Sequence, residues 1–85
     1  MLFRRRKYKV RMSGRSGMTY EEGGRVAYIE TEMLTGDIDL VIYFDNLERW
    51  QSAHENETIS ADEKNRIKTN IAAVLEDKGL VASWR

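Results

Sequence analysis

Cysteine is absent from this chain, and its absence excludes disulfides, zinc–thiolate sites and thiol catalysis. It also fits a cytoplasmic setting, where disulfides are rare. Proline is absent too, so the strongest backbone breaker interrupts no segment. No apolar run approaches the length of a membrane span. The opening Met1-Leu2-Phe3-Arg4-Arg5-Arg6 lacks a long apolar stretch after its charges, so it does not read as a secretory signal. Internal repeats and low-complexity segments are missing as well. At 85 residues the chain is expected to form a single domain over 1–85. Its core must be small, which argues against a large cofactor cavity. The hydrophobic fraction of 41% is low for a globular protein yet above the range of disorder.

Charge is the informative presence. The formal net charge is zero, but residues 1–18 carry seven bases and no acid. Residues 19–48 then carry eight acids against Arg25 alone, and residues 49–85 hold six of each sign. Such sorting indicates either a surface made for a charged partner or strands that neutralise one another.

The periodicities define the elements. Tyr8-Lys9-Val10-Arg11-Met12 alternates apolar and basic residues, a strand pattern. Ser13 to Gly17 reads as a turn, Met18 to Glu21 as a short strand, and Gly23-Gly24 as a hairpin turn. Arg25 to Met33 places Ala27, Ile29, Thr31 and Met33 on one face and Val26, Tyr28, Glu30 and Glu32 on the other. After the Thr35-Gly36-Asp37 turn, Ile38, Leu40, Ile42 and Phe44 line an apolar face opposite Asp39, Val41 and Tyr43. Leu47 to Trp50 is compatible with a helical turn and Gln51 to Thr58 with a loop. Ser60-Ala61-Asp62-Glu63 is a capping box, and Ile67, Ile71, Val74 and Leu75 form one helical stripe. Gly79 follows as a stop signal, and Leu80 to Trp84 has strand composition.

These elements predict an α+β fold. An antiparallel β-meander of three to five strands should be packed on one face by a single long C-terminal α-helix, with a final short strand after it. The inner layer should comprise Val10, Ile29, Ile38, Leu40, Ile42 and Phe44 against the helical stripe. One helix covers one sheet face, so the other should meet water or a partner. Residues 1–7 are open to reading as a flexible basic arm.

Chemistry-bearing constellations are few. His54, the one histidine, lies in a polar loop with only carboxylates nearby in sequence, and reads as an exposed loop residue. Glu30/Glu32 and Asp37/Asp39 have the i, i+2 spacing of paired carboxylates, but a domain this small offers no deep cleft for sugar hydrolysis. Gly14, Gly17, Gly23 and Gly24 lack the continuation of a phosphate loop and read as turn glycines. No catalytic, cofactor-binding or metal residue is therefore assigned, and no enzyme activity is expected. Two binding surfaces remain. Arg4, Arg5, Arg6 and Lys7, with Phe3 and Tyr8, have the composition of a nucleic-acid arm. The second is the outward sheet face, where Tyr28, Glu30, Glu32, Asp39 and Tyr43 combine acidic charge with rigid aromatic contact area. Its plain alternative is cross-strand neutralisation by Lys7, Lys9 and Arg11, should the first strand lie alongside. Trp50 and Trp84 read as core or rim packing. Homodimerisation through sheet edges is compatible with any of these readings.

Several segments resemble a known family. Thr19-Tyr20-Glu21-Glu22-Gly23-Gly24-Arg25, Glu32-Met33-Leu34-Thr35-Gly36, Val41-Ile42-Tyr43, Trp50 after Leu47-Glu48-Arg49, and Ile59-Ser60 with Lys64-x-Arg66-Ile67 occur in that order. Over roughly residues 18–85 the chain resembles small α+β immunity proteins of bacterial polymorphic-toxin and contact-dependent inhibition systems. The resemblance does not extend to residues 1–17. It implies a non-catalytic protein that binds a cognate toxin in the producing cell. Together with the acidic face, it leads to the expectation that a toxin active site is covered, with a nuclease as the toxin that the charge favours.

Overall fold

The computed structural model describes residues 7–14, 16–51 and 53–85. Five strands form one sheet: β1 (Tyr8–Met12), β2 (Gly17–Glu22), β3 (Arg25–Met33), β4 (Leu40–Tyr43) and β5 (Ala82–Trp84). They lie in sequence order across the sheet. The first three junctions are antiparallel. The last is parallel, because the helix α1 (Ala61–Asp77) carries the chain across one face before β5 joins β4. The expected α+β architecture is the observed one, including the short strand after the helix.

Turn chemistry fixes the register. Gly23 and Gly24 both have positive φ, 57° and 79°, as a two-residue hairpin requires, and they place Glu22 opposite Arg25. That register aligns Met18 with Ile29 and Tyr20 with Ala27, so all four face the helix. On the helix, Ile67, Ile71, Val74 and Leu75 are buried, as the stripe predicts. The capping box is formed: the Ser60 hydroxyl accepts from the Glu63 amide at 3.1 Å, and the Ser60 amide donates to the Glu63 carboxylate at 3.0 Å. At the far end Gly79 adopts φ 71° and stops the helix.

A polar connection supplements the core between helix and sheet. The fully buried Tyr20 hydroxyl accepts from Asn70 Nδ2 at 2.8 Å and donates to Glu22 Oε2 at 2.9 Å. Arg66 grips both oxygens of Glu22, with Nη2 2.6 Å from Oε1. Tyr8 stacks on Tyr20 with ring centroids 5.7 Å apart, which seats β1 on the same assembly. Burial pushes the Tyr20 phenol up to about 12, and the neighbouring Glu22 carboxylate works in the same direction.

Three local expectations are corrected. Ile38 does not enter the inner layer: it is 40% exposed, because the ladder starts at the Met33–Leu40 pair and Ile38 stays in the connecting loop. Phe44 is buried but belongs to a 3₁₀ turn, Phe44–Asn46, and not to the strand. That turn, and not Leu47–Trp50, is the helical element here; Trp50 is instead a core residue at 3% exposure. Asp45 and Asn46 favour turns, and the chain leaves the sheet at Phe44, just ahead of them.

Candidate functional interface

The face turned away from α1 is set by parity. Lys9, Glu21 and Val26 share one cross-strand row, and Arg11, Thr19 and Tyr28 the next. Gly17, Glu30 and Tyr43 follow, then Glu32, Val41 and Ser83. The face is therefore basic at the β1 edge and acidic with tyrosines toward β3 and β4.

Of the five predicted contact residues, four share this surface. Tyr28 is 39% exposed, Glu30 and Glu32 are exposed, and Tyr43 is half-buried. The fifth, Asp39, lies just before β4 and has a structural connection: its Oδ2 accepts the Val81 amide at 2.7 Å, while its own amide donates to the Val81 carbonyl at 2.8 Å. Asp39 thus joins the entry of β5 to β4.

Neutralisation by the first strand does not reach the central acids. β2 lies between β1 and β3, so Lys9 stands opposite Glu21 and Arg11 opposite Thr19. Glu30 has Gly17 and Tyr43 as its cross-strand neighbours, and Glu32 has Val41. Among the described residues, neither Glu30 nor Glu32 forms an ion pair. By contrast Glu22 and Glu57, on other surfaces, are held by Arg66 and Arg25. The Arg25 guanidinium, helped by His54, holds the Glu57 carboxyl below its ordinary range. His54, in the loop as expected, has Nδ1 2.6 Å from Glu57 Oε2.

Sequence reading missed one determinant of this surface. Gly17 is not a turn residue but the first residue of β2, and the Tyr28 ring lies across it. A Cβ at Gly17 would come within 2.6 Å of two Tyr28 ring carbons. The Tyr28 hydroxyl, 3.4 Å from the Ser16 carbonyl, completes the fit. The only signal available was the pairing of Gly17 with the row beside Tyr28, which needs the register.

Arg4, Arg5 and Arg6 lie outside the described residues, and Lys7 is an exposed residue just before β1. No cluster of three or more metal-ligating side chains occurs among the described residues. No described helix is long and apolar enough to cross a membrane.

No curated protein and no solved structure matches this chain. A family model does, over residues 9–83, and so takes in β1, which the segment-by-segment resemblance did not reach. On that match, which reaches into every strand and spans the helix, the chain belongs to the Immunity protein 74 family.

Proposed function

We propose that this immunity protein neutralises its cognate toxin by laying the uncovered sheet face over the toxin's active site. Family membership supports the neutralising role. The observation that carries the choice of face is the unpaired state of Glu30 and Glu32 beside Tyr28 and Tyr43. Glu22 and Glu57 are held by arginines, whereas these two acids stand exposed and unpaired on the sheet face turned away from α1. An ion pair formed with a toxin base would add affinity, and the field would speed encounter. Tyr28, laid flat over Gly17, offers contact area at little entropic cost.

In this reading the toxin presents a basic surface. A nuclease is the class whose active site is basic by necessity, because it binds phosphates. The immunity protein acts as a competitive cover, performs no chemistry, and works inside the cell that makes the toxin. The test is capture of the tagged protein's partner from nuclease-treated lysate of its host. The captured protein should arrest growth when expressed alone, degrade nucleic acid, and lose both effects when this chain is added. A captured toxin that still binds the Glu30→Lys/Glu32→Lys variant with unchanged affinity would overturn the choice of face.

A further inference from the structure

The edge strand β1 has features that neither the core nor the acidic face explains. The Ser13 amide donates to the Gly17 carbonyl at 2.8 Å, and the hairpin register makes Ser13 and Gly17 a hydrogen-bonded pair. Alternation along an antiparallel ladder then makes Arg11–Thr19 and Lys9–Glu21 the bonded pairs. The amides and carbonyls of Val10 and Met12 therefore point away from β2, toward the open edge of the sheet. β1 is the terminal strand, so among the described residues no strand meets it on that side.

The side chains alternate across this edge. Lys9 and Arg11 are exposed on the outward face, and Arg11 has neutral Thr19 opposite it. Val10 is half-buried on the helix side, and Met12 is 39% exposed there. At its end Met12 joins Met33, Leu34, Gly14 and Thr35 around an open groove of about 470 Å³. A strand added to this edge would meet bases on one face and apolar surface on the other.

We infer that β1 accepts an extended segment of a protein partner in which acidic and apolar residues alternate, by addition of a strand to the sheet. Charge chooses this occupant over a second copy of the chain. Antiparallel self-pairing centred on Val10 would set Lys9 against Arg11, and neighbouring in-phase registers also set base against base, a destabilising arrangement. An acidic–apolar strand reverses that sign. Its acids would stand opposite Lys9 and Arg11 in the non-hydrogen-bonded pairs, where side chains approach most closely. Its backbone would bond to Val10 and Met12, as strand addition requires. The inference rests on the toxin-binding reading only for which protein supplies the strand.

The probe is a capped synthetic peptide, Gly-Thr-Glu-Val-Glu-Val-Glu-Thr-Gly, compared with the same peptide carrying lysine at each glutamate position. Amide hydrogen exchange and chemical shifts of the isotope-labelled full chain are the readouts. Saturation with the acidic peptide should slow exchange at Val10 and Met12 by at least about tenfold, while the basic peptide leaves them unchanged. Val10→Pro removes an outward amide that the fold does not use, so it should abolish binding while thermal unfolding stays cooperative. Lys9→Glu/Arg11→Glu should exchange the peptide preference. Equal response to both peptides, no response to either, shifts centred on Glu30 and Tyr43, or protection of β1 through self-association without peptide would each overturn the inference. None of these results bears on charge reversal at Glu30 and Glu32, so the two readings fail separately.

Discussion

Gly17 illustrates how one missing side chain shapes the outward surface. Its lack of a Cβ lets Tyr28 lie flat across β2. Gly17→Val should lift the ring and weaken toxin binding about as much as Tyr28→Ala does, on the order of 1–2 kcal/mol, with calorimetric titration as the measure. Tyr20 marks the opposite face. Tyr20→Phe removes a hydroxyl shared by Asn70 and Glu22, and should cost about 1–3 kcal/mol in urea unfolding. Its raised pKa also makes a directional prediction. The folded state keeps the phenolic proton longer than the unfolded chain, so stability should fall as pH climbs from the ordinary tyrosine range through about 12. Parity alone disclosed that Glu30 and Glu32 share a face with Tyr28 and Tyr43. It did not disclose what Asp39 or Gly17 does, because both roles depend on which strand lies alongside and at what offset.

At the scale of elements, the helix was the most legible part. Its cap and apolar stripe repeat within a few residues, and both determinants are local. Ser60→Ala should therefore cost about 1 kcal/mol by chemical denaturation, through loss of the bond to the Glu63 amide. Ile71→Ala, at a position with no exposure, should cost about 2–5 kcal/mol and threaten folding of so small a domain. Strand ends were less legible. Ile38 continues the apolar alternation of β4, yet strand pairing begins only where Met33 meets Leu40, so hydropathy overran the ladder by two residues. Trp50 looked like part of a helical turn because its neighbours suit one. It is buried within an extended segment whose next residue, Gln51, donates its amide to the Val26 carbonyl at 2.7 Å.

Across the whole molecule, the sheet separates the charge blocks of the sequence in space. The described bases of the first block occupy β1 and the residue before it, at one edge. Glu30 and Glu32 lie two strands away, beyond the reach of direct pairing with them. Net neutrality thus coexists with two oppositely charged regions on one outward surface. Sequence order could not distinguish this from a self-neutralised sheet, since the answer turns on β2 lying between β1 and β3. Electrostatic steering should be correspondingly visible. Association with the toxin should slow as salt rises, and the Glu30→Lys/Glu32→Lys variant should lose most of that salt dependence. The most direct test is the association rate of the captured toxin with the wild-type chain and with this variant, measured at low and at high salt. The account predicts a fall of about tenfold or more at low salt for a variant that unfolds like the wild type. Equal rates for the two proteins at both salt concentrations would contradict it.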